Sequence, residues 1–405
     1  MFSKDNIEQN SMNVYTMRNV ILKSRFRGGF FHGLYNELIK NPPDNYRFIV
    51  PEVSKKSPLL NITFQHDSCF HKQLLYRFGS LPYLLAQLGE SHIKYENGDL
   101  IFAAQHLINT DEPWVVDLEF ANSLVGYCSL NLCRNIISKK LKSKECKAIL
   151  PWSEWGANTL LNSINCKDFK DKIRIVRYTV PPKRKNRIKE DKSVIRMLFL
   201  GSINRCGAMR EAFKGLYENV EAFVDLQKKY DGLEFVIRST VTPEIKEKAK
   251  KYSNIKILDS PLTDTELEQL YISSDIFPHS GFEALNLSIL EAMSYGLPVI
   301  ATSYGNTPEA IKHMKNGLLI DLPNPSLFYT KNNIPNEYSN PPLRVMRRLR
   351  PFMVDKIKEC MKLLIEDSSL RQRIGREAAM TIENGEFSLK NRNAMLKEVF
   401  DNATS

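Results

Sequence analysis

Two glutamates eight positions apart, Glu283 and Glu291, fall within the stretch FPHSGFEALNLSILEAMSYGLPVIATSYGNTPEAI at 277–311. The pattern places Glu283 in the loop leaving a short apolar strand. Glu291 falls one turn inside a helix expected over Leu287–Tyr295. A helix N-terminus offers free N–H groups and a positive dipole end, which suit a diphosphate. The backbone of Ala284, Leu285, Asn286 and Leu287 would form that contact surface. Glu291 could then accept hydrogen bonds from both hydroxyls of a ribose, and Glu283 would sit nearer a sugar ring. This chemistry suits a sugar whose leaving group is a diphosphate. The plain alternative is two solvated glutamates flanking a core helix.

The elements that must position this pair are short continuous apolar runs separated by amphipathic helices. In the C-terminal half the expected strands are Val194–Leu200, Leu233–Ile237, Ile255–Leu258, Asp275–Phe277, Pro298–Ala301 and Gly317–Ile320. Runs of this kind read as parallel strands covered on both faces. Leu216, Val220, Phe223 and Val224 mark one face of the first intervening helix, and Thr263 with Glu266 has capping-box spacing. In the N-terminal half the candidates are Asn19–Leu22, Arg47–Val50, Ile62–Phe64, Asp99–Ala104, Trp114–Leu118, Ala148–Pro151 and Ile173–Arg177. Strands alternating with helices predict an α/β chain with two doubly wound, Rossmann-like halves facing a cleft, and ligands beyond the strand C-termini. The segment TVPPKRKNRIKEDK at 179–192 is polar and charged, as a linker would be. The expected domains are therefore 1–182, a linker 183–192, and 193–385, with a last helix in 386–405 packing back on the first domain. Residues 323–343 read as a loop or insertion, and helices are expected at Val354–Asp367, Leu370–Asn384 and Leu389–Phe400.

Composition sets the bounds. A chain of 405 residues, 42% hydrophobic and 25% charged, suits two globular domains. No run reaches the roughly 20 apolar residues of a membrane span. The start, MFSKDNIEQNSMNVY, lacks a basic-then-apolar leader, so a cytoplasmic protein is expected. Seven cysteines without a CxxC pair argue for a reducing compartment and against structural zinc. The net charge of +11 comes with no nucleic-acid motif, so no nucleic-acid partner is expected. The charge equally suits an anionic substrate or a lipid surface, or plain solvated lysines. Leu-rich 74–89 and basic 344–351 could give a peripheral contact at the inner face of a membrane. A core helix plus a solvated basic turn is the favoured reading of those two segments.

Residues 195–320, and more loosely the whole chain, resemble the family 4 group of GT-B glycosyltransferases. The resemblance rests on EALNLSILEAMSYGLPVIA at 283–301, on FLGS and FKG within 199–215, and on EAI and NGLLI within 309–320. It implies transfer of a glycosyl group from a nucleoside diphosphate sugar to a hydroxyl of a glycan, lipid-linked or small-molecule acceptor, with retention of configuration. It places Glu291 on the ribose, Glu283 near the reacting carbon and Lys214 on the departing diphosphate. A cation there would stabilise charge that builds up in the transition state. Gly201 and Gly215 would let backbone approach the phosphates.

The chain departs from the family pattern in three places. Ser202 follows Gly201 where members often have Arg, and Arg205, or else Arg210, could supply that charge. The base site falls by resemblance at Arg238-Ser239 and at Ser260-Pro261-Leu262, so Arg238 and Leu262 are candidates, yet RSTVTP is not Gly-rich. Where the family often has a strand-end His near the sugar, VVDLEF offers Asp117 and Glu119, and His106 ends the preceding strand. Asp117 joins Glu283 and Lys214 as the catalytic candidates.

Gly28-Gly29 resembles the family's glycine loop over the phosphates, and a plain strand-to-helix turn is the alternative. In the reaction usually drawn for the family, the leaving diphosphate takes the acceptor proton, so no strong protein base is needed. No Asp-x-Asp motif stands at a strand end, and neither a metal nor a cofactor is expected. Competing readings are a nucleotide-sugar epimerase or phosphorylase on the same fold, or a non-catalytic basic binding module.

Overall fold

The computed structural model describes residues 17–24, 33–51, 80–89, 98–183, 193–203, 208–324, 328–329 and 343–405. The expected strand Ile62–Phe64, the Gly28-Gly29 turn, Arg205, and most of the linker and of 323–343 lie outside those residues.

Among the described residues the N-terminal sheet has five parallel strands, β1 (Arg18–Ser24), β2 (Tyr46–Ile49), β3 (Leu100–Ala104), β4 (Trp114–Leu118) and β5 (Cys146–Pro151). Their order is β2-β1-β3-β4-β5. Every residue of β3 and β4 is buried, as their unbroken apolar runs require of strands with both faces covered. The C-terminal half holds β6 (Ile195–Leu200), β7 (Leu233–Arg238) and β8 (Ile255–Leu258) in one parallel ladder. A second parallel ladder holds β9 (Phe277–His279), β10 (Val299–Thr302) and β11 (Leu318–Ile320). A parallel bridge between Met197 and Ile276, with Leu198 N–H donating to Ile276 O at 3.0 Å, joins the two. The combined order is β8-β7-β6-β9-β10-β11. The chain reverses its winding direction between β6 and β9, the crevice where open α/β sheets bind ligands.

This is the α/β fold with facing parallel sheets that the strand pattern implies. Three expectations need correction. Ile173–Arg177 is not a strand. It touches β5 by one bridge, Ile149 to Ile173, and by Arg174 and Val176 N–H groups donating to Ile149 and Pro151 carbonyls. It runs extended past the sheet edge and on toward Pro181-Pro182, which cannot continue a ladder. Second, β9 lies two residues later than expected, at Phe277–His279, because Asp275 and Ile276 are spent on pairing with Arg196 of β6.

Third, the basic run expected as a turn is helical. The helix Leu343–Glu366 includes it, with Met346 buried and Arg350 turned inward. There Arg350 stacks 3.6 Å over the Tyr217 ring and donates to Glu218 at 3.1 Å. The Leu-rich segment is helical over Ser80–Gly89. It buries Tyr83 and Leu84 and leaves Leu85 at 55% exposure. Among the described residues no helix is long and apolar enough to cross a membrane.

The last helix, Leu389–Ala403, lies against the N-terminal sheet. Its Phe400 ring is fully buried among Tyr46, Phe48 and Phe102, with centroids 5.2, 6.1 and 6.3 Å away. Tyr46 Oη donates to Asp401 at 2.7 Å beside it. Removing that ring leaves a cavity with little means of collapse. Phe400→Ala is expected to destabilise the protein by about 3–5 kcal/mol in urea unfolding. A loss below about 1 kcal/mol would mean the helix is not seated on this sheet.

Candidate active site

The site forms at the exits of β6, β7 and β9. Lys214 ends the helix Ala208–Lys214, and Gly215 turns the chain with φ +72° before the helix Leu216–Leu226. This turn lies directly on the loop after β9. A Cβ on Gly215 would stand 2.8 Å from Ser280 O, and one on Gly281 would run into Phe213 O and the Lys214 backbone. Phe282 N–H donates to Phe213 O at 2.6 Å across the same contact. Only glycine permits this approach at either position. The approach delivers Lys214 Nζ to Glu283 Oε2 at 2.8 Å, with side chains 13% and 18% exposed.

Asn286 organises the next layer. Its Oδ1 accepts from Ile289 N–H at 3.2 Å, capping the helix Leu287–Ser294, and from Ser288 Oγ at 2.6 Å. Its Nδ2 donates to Glu283 Oε2 at 3.3 Å and to His279 Nε2 at 2.9 Å. His279, the last residue of β9, is 3% exposed and stacked between Phe199 and Phe277, at 5.7 and 5.9 Å. Burial holds its pKa below the usual imidazole range, so the ring is neutral and accepts from Asn286. Its Nε2 stands 3.7 Å from Glu283 Oε2. His279 is a site residue that the sequence reading missed. A His four places before Glu283 was its only signal, and that spacing is also common in ordinary core histidines.

The expected backbone surface over 284–287 is only partly exposed. Leu285 is buried, its N–H donating to Asn306 Oδ1 at 2.9 Å and its carbonyl accepting from Tyr178 Oη. Both of its backbone groups are engaged, so it is no contact for a ligand. Ala284, Asn286 and Leu287 are partly exposed. Facing Leu287 is the first residue of the N-terminal helix Gly33–Lys40, where a Cβ on Gly33 would lie 3.1 Å from Leu287 Cδ1. Two helix N-termini thus converge on one spot, and their dipoles favour an anion there.

Glu291, one turn into its helix, is partly exposed, and its Oε2 accepts from Tyr271 Oη at 2.7 Å. Burial raises its pKa, and the Tyr271 hydrogen bond works against that rise. Arg238, at the end of β7, has a buried Nε without a partner among the described residues, and burial lowers its pKa. An unpaired guanidinium at a strand exit is poised for an anionic or polar ligand.

Gly201 stands at the end of β6, where a Cβ would strike Ser239 Oγ. Its need for glycine therefore comes from packing against the β7 exit. Ser202 O accepts from Thr240 N–H at 3.0 Å in that same contact. Leu262 is partly exposed just before Thr263, whose capping box with Glu266 forms as its spacing implies. Arg210 belongs to the helix that ends at Lys214.

The candidates of the N-terminal half stand differently. Asp117, expected at the reacting sugar, is 3% exposed. It accepts from Gln105 N–H at 2.8 Å, Trp152 Nε1 at 2.8 Å and Tyr35 Oη at 3.0 Å. Its charge is consumed in tying β3, β4 and β5 together, so it is corrected from a catalytic candidate to a structural anchor. His106 is equally buried, with Nδ1 3.1 Å from Ala104 O. Glu119 is the partly exposed carboxylate at this strand exit, where it accepts from Tyr127 Oη at 2.8 Å. Among the described residues no group of three or more His, Cys, Asp or Glu could hold a metal ion.

Residues 200–331, which contain Lys214, Glu283 and Glu291, match the family model described as Glycosyl transferases group 1. An uncharacterized glycosyltransferase of Methanocaldococcus jannaschii is 27% identical over 272 residues, covering 65% of this chain and 60% of that protein. The chain thus spans about three fifths of that relative's length. Among solved structures, a glycosyltransferase from Rickettsia africae superposes with a TM-score of 0.56 at 16% identity, over 96% of this chain and 99% of that one. Anabaena HepE in complex with UDP-glucose gives 0.55 at 15% identity, over 95% and 99%. At such identities the structures show the fold alone, and that fold is GT-B. The likeness to Glycosyl transferases group 1 is carried by residues 200–331.

If Asp117 is an anchor, its amide should fail as a replacement, because Asn presents an N–H to groups that already donate. Asp117→Asn is expected to lose roughly 2–4 kcal/mol of stability in denaturant titration. A variant as stable as wild type would return Asp117 to the list of groups available for chemistry.

Proposed function

We propose that this protein is a retaining glycosyltransferase that moves a sugar from a nucleoside diphosphate sugar to a hydroxyl acceptor without a metal. The observation that carries the reading is the Lys214–Glu283 pair, 2.8 Å apart beside two converging helix N-termini at the sheet's switch point. On this reading the donor's diphosphate lies between the helix ends, and Lys214 leaves Glu283 to meet its negative charge. Glu283 then faces the sugar, with Asn286 and neutral His279 fixing its orientation. Glu291 holds the ribose, and Arg238 serves the base or the phosphates. The acceptor oxygen bonds to the anomeric carbon as the bond from that carbon to the diphosphate oxygen breaks. The departing oxygen takes the acceptor's proton, so the products are a glycosylated acceptor and a nucleoside diphosphate. Positive charge from Lys214 and fixed peptide dipoles would supply the stabilisation that a metal could otherwise give.

Residues 1–182 form the acceptor-binding domain on this reading and 193–385 the donor domain, joined by 183–192 and strapped by the last helix, 386–405. Gly28, Gly29 and Arg205 remain donor-site candidates on the resemblance alone. The acceptor is a glycan, a lipid-linked sugar or a small molecule, and the protein acts in the cytoplasm.

A thermal-shift panel of UDP, GDP, ADP and TDP tests the donor side. The preferred nucleotide at 100 times its Kd should stabilise by about 2.7 kcal/mol. Glu291→Ala should abolish that shift, and Lys214→Ala should cut turnover by on the order of 10²–10³. EDTA should leave the activity intact. No shift with any nucleotide, or activity lost to EDTA and restored by Mn²⁺, would overturn the reading.

A further inference from the structure

Glu291 is held by a tyrosine far from it in sequence. Tyr271, in the helix Asp264–Ile272, is 2% exposed, and its Oη donates to Glu291 Oε2 at 2.7 Å. The phenol has little freedom. Its ring stacks on Tyr295 with centroids 4.8 Å apart and planes at 13°, and it meets Phe277 at 6.1 Å on another side. Tyr295 is itself fixed, donating to Glu268 at 3.2 Å. The capping box at Thr263 and Glu266 anchors the helix that carries Tyr271. A carboxylate has two oxygens, and among the described residues only Oε2 has a protein partner.

We propose that Tyr271 is a positioning residue for Glu291, holding Oε2 so that Oε1 is presented to the two hydroxyls of a ribose. One oxygen has lone pairs for both O–H donors, and it accepts them more strongly when the carboxylate is ionised and its plane is set. The Tyr271 hydrogen bond favours both conditions. The inference rests on the nucleotide-sugar reading above and adds to it the origin of ribose selectivity.

The surroundings give the sign of its pH dependence. Burial raises the pKa of Glu291, Glu37 and Asp264 raise it further, and Tyr271 and Lys183 lower it. Tyr295 and Arg238 are the other ionisable groups that interact with Tyr271. Losing the Tyr271 hydroxyl removes a donor to the charged form, so the Glu291 pKa climbs. Affinity for a ribose then falls as pH drops, and in the variant the fall begins at a higher pH.

Calorimetric titration of wild type, Tyr271→Phe and Glu291→Gln with UDP and 2′-deoxy-UDP tests this, using the matching pair for another base if the panel selects one. Wild type should prefer the ribonucleotide by about tenfold, the worth of a hydrogen bond to a charged group, and Tyr271→Phe by less than about threefold. The loss in UDP affinity for Tyr271→Phe should grow as pH is lowered, because the variant's carboxylate takes up its proton at a higher pH than the wild type's. Glu291→Gln should be flat with pH.

Replacing Tyr271 with 3-fluorotyrosine keeps the shape and strengthens the donor. It should move the fall in affinity to lower pH, and it serves even if the Phe variant folds poorly. Equal loss for both nucleotides at every pH, or an unchanged ratio and profile in both variants, would reduce Tyr271 to a packing residue. Wild type that binds no nucleoside diphosphate would instead sink the functional reading itself.

Discussion

Backbone contact between two loops sets the geometry of everything at the cleft. Gly215 and Gly281 let the turn after Lys214 lie on the loop after β9 with no side chain between them. From that contact follow the Lys214–Glu283 pair and the start of the helix that carries Glu291. An ion pair between long side chains on independent loops would be weak, because holding both in one geometry costs conformational entropy. Here the main chains are already in register, so little further ordering is needed. The pair is also shielded, with neither side chain more than 18% exposed.

Around this contact the site is built from groups that order one another. Asn286 caps its own helix and also orients Glu283 and neutral His279. Tyr271 does the same for Glu291 from the next helix. In both cases the group facing the cleft is a carboxylate, and its supporting partner is neutral. Neutral donors can fix a carboxylate without cancelling its charge, whereas a second buried cation would neutralise it. Arg238 is the contrasting case, a guanidinium whose buried Nε has no partner among the described residues.

What could be read from residue order alone was the part governed by local rules. Apolar runs gave the parallel strands, with β4 and β8 matched to the residue, and Thr263 with Glu266 gave a real capping box. The glutamate spacing located the helix Leu287–Ser294 to within one residue. The reading failed where the deciding partner is remote in sequence. Asp117 has the form of a strand-exit carboxylate, but Tyr35, 82 residues away, and Trp152, 35 away, turn it into an anchor. Tyr271 looks like any core aromatic in a helix until it is seen against Glu291, 20 residues on. The basic run at 344–351 looked solvated because the buried acceptor for Arg350, Glu218, is 132 residues away.

The loop after β9 is not a property of the C-terminal half alone. Leu285, between Glu283 and the helix cap, has its carbonyl taken by Tyr178, which follows the N-terminal sheet in the chain. Nearby, Glu309 reaches across and accepts from the N–H groups of Glu154 and Trp155 at 3.0 and 2.9 Å. It thereby caps the helix Glu154–Ser163 alongside Ser153. Arg177 lies 3.4 Å from Glu309 and from Glu386, and 3.6 Å from Glu154, which draws in the segment leading to the last helix. Any change in the angle between the sheets must therefore disturb the contacts of Leu285 or of Glu309. Leu285 sits two residues from Glu283, so the contacts between the two halves reach the loop that carries this carboxylate.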